Sequence, residues 1–253
     1  MSLKNVTAIV LAAGKGTRMK SDLPKVLFPV LGRSMIHWVL DALQSAGVTK
    51  KRVVVGYRSE LVEEELRGRS GVEFALQSQQ LGTGHAVQMC RDQIEKSDGP
   101  ILIVAGDSPL IQSSSIIELI DIFEAAEPSC IIGTLIKDNP QGLGRIVRKN
   151  SGDFLRIVEQ KDATPEQQQI CEVNMSTYLF NRDDLLWSLD QLSNENAQSE
   201  YYLTDCPQKI LEAGKLVLAK PVLKACEALS INTIDELGLV ESKMLELGYQ
   251  CES

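Results

Sequence analysis

Residues 6–25 read VTAIVLAAGKGTRMKSDLPK, in which an apolar run rich in β-branched residues passes directly into a loop with two glycines. A short apolar run bounded by glycine is typical of a buried strand in a parallel sheet. Similar runs recur at 52–56, 72–76, 101–106 and 130–136, and helix-patterned segments fall between them. This alternation predicts an α/β fold built on a doubly wound, mostly parallel sheet.

The second half of the chain has a different pattern. Residues 144–160 read as two short strands around a turn at 150–152, and residues 173–180 read as a further strand. Residues 200–214 predict a helix that ends at a glycine, and residues 233–248 predict an amphipathic helix that packs on the core. We expect this half to form a second, smaller lobe on the same sheet.

The charge balance of the chain is acidic. The 253 residues include 34 acids and 26 bases, for a net charge of −8 at pH 7. This balance repels nucleic acid and anionic membranes over most of the surface, so neither is an expected partner. The sequence has no signal-peptide pattern and no apolar stretch of transmembrane length, which predicts a cytoplasmic location. Its six cysteines form no C-x-x-C pair, which argues against a zinc site or a disulfide framework.

Four cations, Lys15, Arg18, Lys20 and Lys25, crowd into the glycine-containing loop with a single acid, Asp22, among them. In doubly wound sheets, ligands bind beyond the carboxyl ends of the strands. Backbone N–H groups of a glycine loop, together with nearby cations, bind phosphate oxygens. The loop is therefore expected to be a local anion site on an otherwise acidic protein.

The loop matches neither of two familiar phosphate-binding patterns. A dinucleotide fingerprint needs a third glycine where Met19 stands, because that position packs helix against strand. A P-loop ends in G-K-[ST], which the residues after the glycines do not supply. Pro24 restricts the backbone just before Lys25, and a preorganised lysine suits a transferring phosphoryl group, whose transition state spreads negative charge over its oxygens.

Several motifs occur in one order along the chain: LAAGKGTRMKSDLPKVL (11–27), QQLGTGHAV (79–87), GDSPLI (106–111), GLGRIVR (142–148) and NAQSEYYLTD (196–205). By these motifs the chain resembles the sugar-nucleotide pyrophosphorylases, and among them the uridylyltransferase domain of the bifunctional enzymes that make UDP-N-acetylglucosamine. The resemblance implies a Rossmann-like nucleotidyltransferase fold with a small sugar-binding lobe. It also implies transfer of a uridylyl group from UTP to a sugar 1-phosphate, N-acetylglucosamine 1-phosphate, with release of pyrophosphate.

The resemblance suggests how a single domain over residues 1–253 is divided. Residues 1–110 would form the nucleotide-binding half, 111–232 the sugar-binding half and 233–253 a C-terminal helix. Nothing in that last segment resembles the hexapeptide repeats of the β-helix that performs acetyl transfer in the bifunctional relatives. We therefore expect no acetyltransferase domain, and, since that β-helix builds their trimer, a monomer.

The family motifs assign roles to the matching residues of this chain. Arg18 and Lys25 would be the catalytic cations. Asp107 and Asn232 would hold Mg²⁺, which prefers a carboxylate plus substrate phosphates. The nucleotide would be bound by Ala13, Gly14, Gly16, Gln77, Gly82 and Thr83, and the sugar by Gly144, Glu159 and Asn174.

Each assignment has a structural alternative. Asp107 could cap a helix, Asn232 could be a turn residue, and the three sugar residues could tie strand ends together. The amide of Gln77 is expected to read both the O4 and the N3–H of uracil, since it offers a donor and an acceptor. His85 is expected to be structural, because a sugar phosphate is already ionised near pH 7 and needs no general base.

Two departures from the family pattern bear on the sugar. Asn174 is followed by Met175 and Ser176 where the family usually reads N-T-G, and Ala105 replaces an aromatic residue. The alternatives are therefore a uridylyl- or thymidylyltransferase for another sugar 1-phosphate, such as glucose 1-phosphate, or a non-catalytic nucleotide-sugar binding module. A Rossmann oxidoreductase is disfavoured by Met19.

Overall fold

A nine-stranded sheet forms the centre of the computed structural model, which describes residues 5–16, 21–229, 231 and 234–251. A separate two-stranded hairpin lies beside it. The strands are β1 (Thr7–Leu11), β2 (Pro29–Val30), β3 (Arg33–Ser34), β4 (Lys50–Val55), β5 (Val72–Leu76), β6 (Ile101–Ala105), β7 (Cys130–Ile136), β8 (Gly144–Arg148), β9 (Phe154–Val158), β10 (Glu172–Phe180) and β11 (Val217–Lys220). The hairpin consists of β2 and β3.

The helices connect the strands and cover the sheet. They are α1 (Met35–Ser45), α2 (Ser59–Glu65), α3 (Thr83–Gln88), α4 (Arg91–Glu95), α5 (Ser113–Ala126), α6 (Pro165–Gln168), α7 (Arg182–Leu189), α8 (Cys206–Glu212) and α9 (Ile234–Glu246). Short 3₁₀ turns lie at Lys25–Leu27, Leu203–Asp205 and Ala225–Ala228. Within the described part of the chain, no helix combines the length and the apolar composition that crossing a bilayer requires.

The sheet order is β11-β7-β10-β6-β1-β4-β5, with β8 paired to β10 and β9 paired to β8. The pairs that β1 makes with β4 and β6 are parallel, as are those of β4 with β5 and of β7 with β11. β10 runs antiparallel to both β6 and β7. The predicted α/β fold with a mostly parallel sheet is confirmed, but periodicity carries no strand direction and did not indicate that β10 would be inserted in reverse.

Both faces of the sheet are buried, which explains the unbroken apolar runs. Ile9 and Val10 are neighbours on β1, have no exposed surface and belong to opposite core layers. Residues of α1, α2 and α5 complete one layer, and residues of α3, α4, α7 and α8 complete the other. A strand covered on both faces gains hydrophobic free energy from every apolar side chain, so alternation is lost.

The predicted hairpin of the second half is present. β8 and β9 pair antiparallel, and the turn between them closes where the N–H of Lys149 donates to the carbonyl of Asp153 at 2.8 Å. Gly152 in this turn has φ 88°, a conformation that favours glycine. The turn chemistry at 150–152 therefore supports the strand pairing.

The C-terminal helix α9 packs on the β2–β3 hairpin. Val240 and Met244 of α9 are buried with Val30 and Leu31. Leu31 has φ 52°, in the left-handed region, and its N–H donates to Glu241 Oε1 at 2.9 Å. The hairpin follows directly on the turn that carries Lys25, so α9 braces the segment that leads out of the glycine loop.

Glu227 is a buried carboxylate that joins the C-terminal part of the chain to the start of α5. Its oxygens accept hydrogen bonds from the N–H of Gln112 at 3.1 Å and the hydroxyl of Ser115 at 2.6 Å, and from the N–H of Lys224 at 2.7 Å. Gln112 is the N-cap of α5. Glu227 therefore fixes the segment between the end of β6 and α5.

Replacing Glu227 with alanine should lower the free energy of unfolding by about 1–3 kcal/mol, because buried donors lose their acceptor. Urea unfolding followed by circular dichroism measures this difference. The control is Glu118→Ala at an exposed position of α5, which should change the stability by less than about 0.5 kcal/mol. Equal stabilities of the two variants would contradict a bracing role for Glu227.

Candidate active site

A cavity of about 340 Å³ lies at the carboxyl ends of β1, β5 and β6. This is the edge at which ligands bind in doubly wound sheets. Three polar residues to which the motifs assigned no role, Gln80, Ser176 and Glu200, line it. The predicted site residues that line it are Ala13, Gly14, Lys25, Gln77, Gly82, Thr83 and Asp107.

Strand register brings the glycine loop and Asp107 together. Leu11 at the end of β1 pairs with Ala105 at the end of β6, so the segments that follow both strands leave the sheet side by side. Gly16 does not line the cavity but has φ 66°, and a Cβ at this position would lie 2.7 Å from Lys25 Cβ. Glycine at position 16 therefore allows the loop to approach the Lys25 backbone closely.

Lys25 and Asp107 form an ion pair inside the cavity. Lys25 Nζ lies 2.6 Å from Asp107 Oδ2, and the side chains are 14% and 31% exposed. The alternative that Asp107 caps a helix is not supported, since Gln112 is the N-cap of α5. The predicted phosphate-binding cation and the predicted metal-binding carboxylate therefore neutralise each other in this structure.

Two predicted residues, Arg18 and Asn232, lie outside the described residues. The predicted pairing of Asn232 with Asp107 and the predicted contact of Arg18 with phosphate therefore stay predictions.

A carboxylate donor for a divalent metal is present at the cavity. Among the described residues, no group of three or more His, Cys, Asp or Glu side chains could hold a metal ion by itself. Mg²⁺ usually takes one or two carboxylates and completes its shell with water and substrate phosphates. Asp107, partly exposed beside Lys25, fits that mode of binding.

At the other end of the cavity, the amide nitrogen of Gln77 is engaged by the protein. Gln77 is 4% exposed, and its Nε2 donates to the carbonyl of Gly82 at 3.0 Å and lies 3.0 Å from His85 Nδ1. In this structure the amide nitrogen of Gln77 is thus engaged within the protein, and the expectation that this amide reads the donor and the acceptor of uracil stays a prediction. The interpretation of His85 as a structural residue agrees with this contact.

The carbonyl of Ala13 already accepts two hydrogen bonds. Tyr57 donates its backbone N–H at 3.1 Å, and Gln80 donates its Nε2 at 2.6 Å. Gln80 thus crosses the cavity from the loop after β5 to the loop after β1. Sequence reasoning missed Gln80, although it stands in the same motif as Gly82.

The motifs LGTG and EYYLTD are partners in the fold. Gly84 donates its N–H to the carbonyl of Tyr201 at 2.7 Å, and Thr83 Oγ1 accepts the N–H of Leu203 at 3.1 Å. A Cβ at Gly82 would lie 2.6 Å from the same Tyr201 carbonyl, so the approach requires glycine. This contact places Glu200, the residue before Tyr201, at the wall of the cavity.

The predicted sugar residues do not line the cavity that contains Lys25. Gly144 and Asn174 pair across β8 and β10, and neither lines the 340 Å³ cavity. Asn174 is 6% exposed, with its Nδ2 donating to the Tyr178 hydroxyl at 2.7 Å and its Oδ1 accepting the N–H of Ser176 at 3.2 Å. These bonds match the alternative in which Asn174 ties together the irregular part of β10.

Glu159 lines a second cavity of about 330 Å³. Thr204 Oγ1 donates to Glu159 Oε1 at 3.1 Å. Burial raises the pKa of Glu159, and burial also raises the pKa of Asp205 on the same cavity. Because Glu200 lines the first cavity and Tyr202, Thr204 and Asp205 line the second, one short segment contributes to both.

The two departures from the family pattern both occur at the first cavity. Ser176 lines it with φ 54°, at a register shift of β10 between Asn174 and Thr177. Glycine adopts this backbone conformation without strain, whereas serine does not. Ala105 lines the cavity on the β6 side. Both positions therefore shape the space beside Lys25.

The comparisons with known proteins identify the family. The nucleotidyl transferase family model matches residues 7–224. Proteins named "Bifunctional protein GlmU" from Streptococcus suis and Streptococcus gordonii are 44% and 45% identical to this chain, over 96% and 94% of it. The corresponding protein of Pelobacter propionicus is 40% identical over 91% of the chain. These matches cover 52%, 51% and 50% of the relatives, so the chain spans about half the length of the curated relatives it matches.

Solved structures share the fold at low sequence identity. One, described as a glucose-1-phosphate thymidylyltransferase from Bacillus anthracis in complex with a sucrose, has a TM-score of 0.77 at 18% identity and covers 96% of this chain and 97% of its own. Another, UDP-glucose pyrophosphorylase complexed with UDP-glucose, has a TM-score of 0.76 at 15% identity, with coverage of 96% and 99%. From the family match and this fold we conclude that the chain belongs to the nucleotidyl transferase family.

Proposed function

We propose that this protein transfers a uridylyl group from UTP to N-acetylglucosamine 1-phosphate, giving UDP-N-acetylglucosamine and pyrophosphate. The observation that carries the proposal is the Lys25–Asp107 pair, which lies in a cavity at the carboxyl ends of β1 and β6 in a chain of the nucleotidyl transferase family. The choice of substrates rests on the ordered motifs of the chain and on its 44% and 45% identity to GlmU proteins.

In the proposed reaction, an oxygen of the sugar 1-phosphate attacks the α-phosphorus of UTP in line with the leaving pyrophosphate. The attacking oxygen is already ionised, so positioning and charge neutralisation supply most of the catalysis. Lys25 would donate from Nζ to phosphate oxygens, held in place by Pro24 and by the close approach of Gly16. Arg18 would bind the leaving pyrophosphate.

We propose Mg²⁺ as the cofactor, with Asp107 as one protein ligand and Asn232 as another. A bound magnesium ion neutralises charge on the phosphate groups of the nucleotide. When Asp107 takes that role, the ion pair with Lys25 is broken and Lys25 Nζ can donate to phosphate. The ion pair would therefore hold Lys25 and Asp107 in the cavity until the nucleotide phosphates bind Lys25 and Mg²⁺ binds Asp107.

The nucleotide is proposed to bind along the first cavity. Ala13, Gly14, Gly82 and Thr83 would surround the base and ribose through their backbone, with Gln77 at the base edge. Gly16 would act through the packing of Lys25 and not by direct contact. The sugar is proposed to contact Gly144, Glu159 and Asn174. None of these lines the first cavity, and the segment around Glu200 would connect the first cavity to the second, which Glu159 lines.

A transferase for another sugar 1-phosphate is the second candidate function. Ala105 and Ser176 favour it, because both line the cavity where the sugar 1-phosphate must approach Lys25. A binding module without catalysis is disfavoured, since such a module has no need of the Lys25–Asp107 pair. The cytoplasmic location, the monomeric state and the exclusion of nucleic acid and membrane as partners remain predictions.

Lys25→Ala and Asp107→Ala should each reduce pyrophosphate release by on the order of 100-fold or more, because each removes a charge that the transition state requires. The measurement is initial rates with UTP, Mg²⁺ and N-acetylglucosamine 1-phosphate, with circular dichroism to verify folding. Matched controls are Lys50→Ala at the opposite edge of the sheet and Asp121→Ala on α5, both exposed. Folded Lys25 and Asp107 variants with near-normal rates would show that the site has been assigned wrongly.

Sugar preference is tested by pyrophosphate release from UTP with N-acetylglucosamine 1-phosphate, glucose 1-phosphate and glucosamine 1-phosphate under identical conditions. We expect the first to give the highest kcat/KM. A higher kcat/KM for another sugar 1-phosphate would support the same type of reaction and the second candidate function, a transferase for that sugar. UTP binding without release from any of the three would favour the binding module.

A further inference from the structure

Strand register brings the three predicted sugar residues to one end of the strands β8, β9 and β10. Gly144 lies opposite Asn174 of β10, and the next residue, Arg145, lies opposite Val158 of β9. Glu159 follows Val158 directly, and in an antiparallel pair this places it on the side of Gly144. The spacing between Gly144 and Glu159 therefore depends on what fixes the chain just beyond these strand ends.

Arg145 is a buried cation at this end of the strands, with an exposed fraction of 1%. In the described part of the chain its guanidinium donates to neutral oxygens: the carbonyl of Leu143, Gln160 Oε1 at 2.8 Å and the carbonyl of Gln168 at 3.4 Å. Its Nε is buried with no hydrogen-bond partner among the described residues. Because water cannot replace a lost acceptor here, Arg145 depends strongly on each of these oxygens.

Gln160 Oε1 joins two donors that flank Gly144. It accepts from Arg145 Nη2 at 2.8 Å and from the N–H of Gly142 at 3.0 Å. Both partners can only donate, so the atom between them is the amide oxygen and not the amide nitrogen. Since Gln160 is the residue after Glu159, one side-chain atom ties the turn before β8 to the segment that carries Glu159.

The segment that carries Glu159 is also held from its other side. Glu159 Oε1 accepts from Thr204 Oγ1 at 3.1 Å, and Asp162 Oδ2 accepts from the Tyr202 hydroxyl at 3.3 Å. These two carboxylates anchor the segment to the residues that line the second cavity. Gln160, which lies between them in sequence, anchors it to the turn before β8.

We propose that Gln160 is a positioning residue for the sugar: by accepting from Gly142 and Arg145, it fixes the spacing between Gly144 and Glu159 at which the hexose is held. The inference rests on the proposed function and deepens it. Hydrogen bonds to hydroxyls weaken steeply as their geometry departs from the optimum, so a small shift of the turn weakens sugar binding. Gln160 does not line the first cavity, so its loss should leave nucleotide binding unchanged.

This positioning role differs from a purely structural role in what a substitution changes. Loss of a structural glutamine would lower stability and weaken the binding of every ligand alike. Loss of a positioning glutamine weakens the binding of a ligand that contains the sugar and spares a ligand that contains only the nucleotide. The proposal also requires an acceptor at this position, and a glutamate supplies one to both donors. Methionine has a similar length but no strong acceptor.

The test is calorimetric binding of UTP and of UDP-N-acetylglucosamine, each with Mg²⁺, to the wild-type protein, Gln160→Met and Gln160→Glu. Gln160→Met should weaken the binding of UDP-N-acetylglucosamine by roughly 10-fold and change that of UTP by less than about 2-fold. Gln160→Glu should keep both affinities within about 3-fold of wild type. In turnover, Gln160→Met should raise the KM for N-acetylglucosamine 1-phosphate and not the KM for UTP. The matched control is Gln191→Met at an exposed position, which should change neither affinity.

Unchanged binding of UDP-N-acetylglucosamine in Gln160→Met, or equal weakening of both ligands, would overturn the proposal for Gln160. Equal losses in Gln160→Met and Gln160→Glu would also contradict it, since the acceptor would then be irrelevant. Failure of the proposed function has a different signature, namely a wild-type protein that binds UDP-N-acetylglucosamine but releases no pyrophosphate with any sugar 1-phosphate. Undetectable binding of UDP-N-acetylglucosamine to wild type would overturn both.

Discussion

The parallel pairing of β6 with β1 is the constraint on which the candidate site depends. It sets Leu11 level with Ala105, so the loop with Gly16 and the loop with Asp107 emerge together at one edge of the sheet. Lys25 and Asp107 are 82 positions apart in the chain, yet this register brings them into an ion pair. A slip of one residue would reverse which side chains face each layer of the core, so the core itself maintains the register.

The surroundings of this edge are held by contacts from distant parts of the chain. Glu241 on α9 supports the left-handed Leu31 just beyond the Lys25 turn, and Glu227 supports the segment that follows Asp107. The glycines of LGTG admit Tyr201 and its neighbours to the cavity wall. The short loops of the proposed phosphate site are thus fixed by carboxylates from other parts of the chain and by close backbone contacts, which keep the charged groups preorganised.

Much of the fold followed from the sequence, because apolar runs and turn residues are local signals. The apolar run 6–12 and the glycine loop after it predicted a strand and a candidate anion site at its end. Asp107 was predicted as a site residue because it follows the apolar run that forms β6. The direction of β10 could not be predicted, since its neighbours are chosen by packing and not by its own pattern. The left-handed backbone of Ser176 follows from that same strand, at the irregularity where β10 passes β7. The hydrogen bonds of Gln77 depend on where the Gly82 carbonyl points, which the sequence does not show. Glu200 lies at the cavity because the motif EYYLTD contacts the motif LGTG.

The resting ion pair leads to one direct measurement. A crystal structure with UTP and Mg²⁺ bound should show Asp107 coordinating the metal at about 2.0–2.1 Å. Lys25 Nζ should then lie on a phosphate oxygen, beyond about 4 Å from the Asp107 carboxylate. If the 2.6 Å contact between Lys25 and Asp107 persisted with nucleotide and metal bound, this would contradict the proposal that Lys25 binds phosphate while Asp107 binds the metal.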